Sequence, residues 1–191
     1  MSSQPGSSAV TAAHLLIRLE RLSRSGLSAD GLNPAQSEAL RYVARANRFS
    51  RSPAAVASYF GATRGTVSQT LIALEEKGVI RRIPNKTDKR GIDLVLTPRG
   101  SALLKDDPLH ALAGDLEAGE ESAALLEQLR KALLAAVSRN GGRPFGFCHA
   151  CVHFRRVPLA FSGMPNHCAL LQAPLSDADS ALICVEQEEL A

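Results

Sequence analysis

The chain has no tryptophan, and only 4% of its 191 residues are aromatic. With 45% apolar residues, its core must be built mostly from Leu, Ala and Val. No apolar run approaches the roughly 18 residues of a membrane span, so no membrane partner is expected. The opening MSSQPGSSAV has neither a basic stretch nor a long apolar one. It reads as a disordered tail over residues 1–9 rather than a secretory leader, which makes the chain cytoplasmic. No P-loop, glycine-rich dinucleotide turn or Ser/His/Asp set is present, so an enzyme is not expected. Cysteine is missing from the first 147 residues, and all four copies lie between Cys148 and Cys184. In a reducing compartment, thiols clustered this way point to metal binding or redox chemistry rather than to disulfides.

The formal net charge is only +3, which would not by itself indicate a nucleic-acid partner. The kind of charge is more informative. The chain has 17 Arg against 5 Lys, and the Arg fork suits phosphates and base edges.

Periodicity gives a mainly α fold with a small β-wing. VTAAHLLIRLERLSR, from Val10, reads as a helix with Leu15, Leu19 and Leu22 on one face. Asn33 can cap a second helix with Pro34 at its first position and Leu40 and Val43 on its apolar side. Ser52 and Pro53 begin a short third helix that stops at Gly61. Thr63 begins a fourth, ended by Gly78, in which Val67, Leu71 and Leu74 form one buried stripe. VIRRI and IDLVL then switch to strand character around the polar PNKTDKRG, a hairpin with a long basic tip. TPRGSALLK starts another helix. EESAALLEQLRKALLAAVSRN is a long amphipathic one, with Leu126, Leu129, Leu133 and Val137 on one face. The last 49 residues lose periodicity and read as an irregular segment. The expected division is a tail over 1–9, a DNA-binding and dimerisation domain over 10–140, and a Cys-rich segment over 141–191.

Helix, short helix, tight turn, helix and hairpin in that order make a winged helix-turn-helix. In such a fold the exposed side chains at the N-terminal end of the second helix of the motif reach base edges in the major groove. Arg64 can fork onto guanine, Gln69 onto adenine, and Thr63, Thr66 and Ser68 onto bases or phosphates. Gly65 keeps that end slim at a cost of about 1 kcal/mol in helix propensity. In the wing, Lys86, Lys89 and Arg90 can enter a narrow minor groove, and Asp88 is expected to brace Arg90 or Arg82.

The stretch TRGTVSQTLIALEEKGVIRRIPNKTDKRGIDLVLTPRG resembles the MarR (multiple antibiotic resistance regulator) family. Three motifs carry the likeness: Leu-Glu-x-x-Gly at Leu74–Gly78, Asp-x-Arg at Asp88–Arg90, and Leu-Thr-x-x-Gly at Leu96–Gly100. The resemblance implies a homodimer on a near-palindromic operator in double-stranded DNA, usually as a repressor. It also implies a dimer interface made by the first helix and the last two amphipathic helices, and room for a small-molecule effector. The apolar faces of those helices independently call for a partner.

The family pattern ends near Gly141. Beyond it stand Cys148, Cys151, Cys168 and Cys184, spaced C-x2-C-x16-C-x15-C. Four thiolates complete the shell of one metal centre. Only Cys148 and Cys151 form a close pair, so an iron–sulfur cluster suits the spacing better than a zinc ion, which usually takes two pairs. Zinc stays open as the alternative. His149, His153 and His167 are weaker ligand candidates. Such a centre could sense redox state or iron. Two other functions remain: an interaction module with a zinc-folded tail, and a redox or electron-transfer protein.

Overall fold

A computed structural model describes residues 7–23, 31–85, 91–119, 121–157 and 164–189. Its centre is a head of four helices and a hairpin: α2 (Pro34–Arg45), α3 (Pro53–Phe60), α4 (Arg64–Glu76), β1 (Ile80–Pro84), β2 (Ile92–Leu96) and α5 (Pro98–Leu103). Each of these helices starts on a side-chain cap. Asn33 and Gln36 bond each other's backbone N–H groups reciprocally, at 2.9 and 3.1 Å. Ser52, Thr63 and Thr97 cap the N–H groups of Ala55, Thr66 and Gly100. Such a cap contributes about 1 kcal/mol. Pro34, Pro53 and Pro98 follow three of the caps, as the sequence predicts.

The head closes over one apolar cluster in which Leu40, Leu71, Leu74, Ile80 and Leu94 are essentially inaccessible to water. Burying each such side chain is worth about 1.5–3 kcal/mol relative to leaving it exposed. The wing strands pair antiparallel, from Ile80 opposite Leu96 to Pro84 opposite Ile92. On the far side of β2, the Leu94 N–H donates to the Arg51 carbonyl at 2.7 Å. The wing is thereby tied to the segment between α2 and α3.

Two of the family-like motifs have a visible physical cause. Glu75 accepts the Arg82 backbone N–H at 2.9 Å and its Nε at 2.7 Å, pinning the end of α4 to β1. That backbone bond first, and then the guanidinium, hold the Glu75 carboxyl below its usual range. Arg82 is thus braced by Glu75, while Asp88, expected to brace Arg90 or Arg82, lies in 86–90, outside the described residues. At Gly100, an added Cβ would stand 2.1 Å from the Val79 carbonyl oxygen, so α5 can pack there only without a side chain.

Three helices flank the head: α1 (Ser8–Ser23), α6 (Leu109–Glu117) and α7 (Ser122–Arg139). α1 begins inside the stretch expected to be disordered. None of the three contains a buried residue. Ile17, Leu22, Leu126 and Leu133 are 61–67% exposed. The joint between head and α6 is ionic: Arg41 grips both oxygens of Asp107 at 2.6 Å. Burial raises the Asp107 carboxyl, but the bonds from Arg41 and the Leu109 N–H outweigh it and hold the group below the carboxylate range. Among the described residues no helix is long and apolar enough to cross a membrane.

The Cys-rich segment, expected to be irregular, contains short strands. β3 (Gly146–Phe147) pairs with β7 (Ile183–Cys184). β4 (Phe154–Arg156), β5 (Asn166–Cys168) and β6 (Ala173–Leu175) form an antiparallel sheet. A one-turn helix, α8 (Asp177–Ser180), separates β6 from β7. Strands of two or three residues are too short for alternation to show in the sequence.

Candidate functional site

Helix α4 buries Val67, Leu71 and Leu74 against α2 and α3 and turns Thr63, Arg64, Thr66, Ser68 and Gln69 to solvent. The polar face predicted for base contact is therefore open, at the N-terminal end of the helix. Its hydroxyls are partly committed. Thr63 Oγ1 caps the helix and sits 2.9 Å from Thr66 Oγ1, so these two form one unit. Among the described residues a Cβ on Gly65 would meet only Thr63 Oγ1, at 3.9 Å, so no clash with them requires a glycine there. Lys86, Lys89 and Arg90 lie outside the described residues. The wing root is described, and it exposes Arg81.

A cleft of about 230 Å³ opens between α2, α3 and α6, with Arg41, Tyr59 and Leu109 on its walls and Ile183 of β7 at its edge. The tail thus takes part in a space bounded otherwise by the head and α6.

The four cysteines are placed by short elements. Cys148 and Cys151 flank one 3-10 turn, in which the Cys151 N–H donates to the Cys148 carbonyl at 2.9 Å. Cys168 ends β5 opposite Phe154, and Cys184 ends β7 opposite Gly146. In a segment expected to be irregular, both of these cysteines are strand residues. Cys148 and Cys184 are buried. Burial first, and then the thiols of Cys184, Cys151 and Cys168, push the Cys148 thiol up to about 12. Among the described residues, no three His, Cys, Asp or Glu side chains form a ready metal site. Of the histidines, His149 stacks on the Phe147 ring and His153 Nε2 lies 3.1 Å from the Glu188 carboxylate.

Sequence reasoning missed how the tail attaches. Ile183 is a member of the head's apolar cluster. Its carbonyl accepts the Asn47 N–H at 2.9 Å, and the Val185 N–H donates to Ser50 Oγ at 2.9 Å. Arg48 donates to the Pro174 carbonyl. The Phe145 ring meets Tyr59 edge-on at 5.1 Å. Burial, with Tyr59 and Cys184 alongside, pushes the Tyr42 hydroxyl above its usual range. The one sequence hint was Phe145 and Phe147, aromatic in a chain that has few.

Fold and open helix face together define the class: a winged helix-turn-helix with a mainly helical frame. Residues 30–91, from before α2 to the wing, match the model of the MarR family. Three solved structures share the fold. The transcriptional regulator BldR from Sulfolobus solfataricus is 22% identical with a TM-score of 0.52, covering 70% of this chain and 99% of that one. Wild-type MarR from E. coli in its apo form is 25% identical with a TM-score of 0.51 over the same shares. A MarR transcriptional regulator from Methanosarcina mazei Go1 is 17% identical with a TM-score of 0.55, covering 68% and 96%. A comparison with curated proteins finds no match.

Proposed function

We propose that the protein is a DNA-binding transcription regulator of MarR type that acts without catalysis, as a homodimer on a near-palindromic operator, and usually represses. The observation that carries this reading is α4: its apolar stripe is fully used inside the head, while its polar N-terminal face stands in solvent. Arg64 and Gln69 read bases, Ser68 and the Thr63–Thr66 pair meet bases or backbone, and Lys86, Lys89 and Arg90 serve the wing. The dimer is supported by the apolar side chains of α1, α6 and α7 that stand exposed among the described residues. A second copy would cover them with the same surfaces. The cleft beside Arg41 and Tyr59 is a place for a small-molecule effector.

The four cysteines complete the proposal as ligands of one thiolate-bound centre. Their confinement to residues 148–184, with no cysteine elsewhere in the sequence, supports this. An iron–sulfur cluster remains the first choice, because Cys168 and Cys184 come from separate strands. The tight Cys148–Cys151 turn is the observation that favours zinc, which is commonly held by such pairs.

The DNA reading is tested by binding measured against salt concentration. Affinity should fall steeply as salt rises. Arg64→Ala should cost about 1–3 kcal/mol at preferred sequences and flatten their ranking, while Lys86→Ala should weaken all duplexes alike. Salt-independent binding, or equal effects of both substitutions across sequences, would displace α4 from its assigned role.

A further inference from the structure

The aim of the wing depends on what its root is fastened to, because a two-stranded hairpin does not hold its own orientation. On the β1 side, Glu75 at the end of α4 holds Arg82. On the β2 side, the Arg51 carbonyl accepts the Leu94 N–H at 2.7 Å. The corner between α2 and α3, residues 46–51, therefore carries that edge of the wing. Its own bonds organise it closely. Asn47 and Ser50 are inaccessible to solvent. Asn47 Oδ1 accepts the Phe49 N–H at 3.1 Å and the Ser50 hydroxyl at 2.9 Å. The Tyr42 hydroxyl donates to the Ser50 carbonyl at 2.7 Å, and Arg51 Nε donates to the Ala46 carbonyl at 2.8 Å.

Two further polar groups of the corner are met by the tail. The Asn47 N–H donates to the Ile183 carbonyl, and Ser50 Oγ accepts the Val185 N–H, both at 2.9 Å. Ile183 also pairs with Ala46 in a parallel bridge, and its side chain is buried in the head's cluster. A buried N–H left without an acceptor is costly enough to make its surroundings rearrange. The Ser50 hydroxyl receives the tail and grips Asn47 with the same oxygen, so the tail's bond and the corner's turn are joined at one atom. By contrast, the tail meets α7 through an Arg130–Glu189 pair on the surface, and such pairs contribute little.

Resting on the proposed DNA-binding reading, we propose that Ile183 and Val185 are positioning residues of the wing. By closing the open side of the 46–51 corner, they fix the Arg51 carbonyl and with it β2. They thereby set the angle between wing and α4 at which both meet one duplex. The tail is then a working part of the DNA head of its own subunit, and the effect requires no occupant at the thiols.

Hydrogen exchange and DNA binding of the full-length protein test this. Val185→Pro deletes the donor from the tail's side, and Ser50→Ala deletes the acceptor from the head's. Each should speed exchange of the Leu94 amide by about 5-fold, the equilibrium worth of one hydrogen bond. The Leu71 and Leu74 amides of α4 should stay as protected as before. The double variant should exchange no faster than Ser50→Ala, since both changes remove one bond. A duplex enriched from a random-sequence pool by the unmutated protein serves as the DNA probe. Each variant should bind it about 5-fold more weakly, with a salt slope smaller by about one as a wing contact to phosphate is lost. The ranking of duplexes altered by single base pairs should be kept; a flattened ranking puts the effect on α4 and overturns the proposal. Unchanged Leu94 exchange in both variants overturns it, and so do additive effects in the double variant. Loss of protection at Leu71 and Leu74 also overturns it, since the tail would then support the whole head rather than the wing. If the unmutated protein enriches no duplex, the DNA reading falls and the inference with it. If it enriches one that both variants bind with unchanged affinity and salt slope, the inference alone falls.

Discussion

The head and the Cys-rich tail are built on opposite principles. The head carries its own instructions: caps at Asn33, Ser52, Thr63 and Thr97, apolar stripes at helical spacing, and a core of branched aliphatic residues with almost no exposure. The tail has strands of two or three residues and few buried side chains, among them Cys148, Leu175, Ile183 and Cys184. One of those, Ile183, is buried in the head's core rather than in the tail's. A region of this kind is held by its attachments. The comparison teaches that the head should tolerate loss of the tail, whereas the tail should not survive loss of the head.

The largest expected effect comes from striking the head at Gly100. Gly100→Ala would drive a methyl group to 2.1 Å from a backbone oxygen that cannot swing away as a flexible side chain could. The expected cost is about 4 kcal/mol or more, in the range reserved for such clashes. Denaturation followed by far-ultraviolet circular dichroism should show head and tail lost together. A tail that stays protease-resistant while the head melts would break the comparison.

This asymmetry also explains what could be read from the amino acids. Pro34 after Asn33, Pro53 after Ser52 and Pro98 after Thr97 mark helix starts by local chemistry, and the structure puts the helices there. The exposed polar face of α4 was equally legible, because Val67, Leu71 and Leu74 leave only one way to orient that helix. The tail's folding was not, since its strands are shorter than any period and its anchor is a contact between Asn47 and Ile183, far apart in the chain. The Glu75 brace on Arg82 was not legible for a similar reason: the two meet, at 2.7 Å, only because the end of α4 folds back onto β1.

A smaller effect is expected at the junction itself. Ile183→Ala removes most of a buried side chain from the head's cluster and should cost about 2–3 kcal/mol, at the low end for such truncations because the site borders a cleft that can collapse. The comparison predicts where that loss appears. Proteolysis should cut within 143–189 while the head keeps its cooperative unfolding in urea. A uniform loss with no new cleavage would mean that β7 is as much a part of the head's fold as α5 is.

The smallest effect sharpens the comparison from within the head, at Gly65. Among the described residues nothing crowds that position: the nearest atom to an added Cβ is Thr63 Oγ1 at 3.9 Å, an ordinary contact. The backbone there is helical, so alanine should gain about 0.5–1 kcal/mol of stability through propensity alone. A residue that weakens its helix without relieving a clash invites a reason outside the chain, and α4 presents it on the same exposed turn as Arg64 and Thr66. Gly65→Ala should therefore raise the melting temperature slightly, leave the tail's protease resistance unchanged, and weaken binding to the enriched duplex. If the substitution stabilises the head and binds DNA as well as before, then close approach of the duplex at the start of α4 is not what keeps a glycine there.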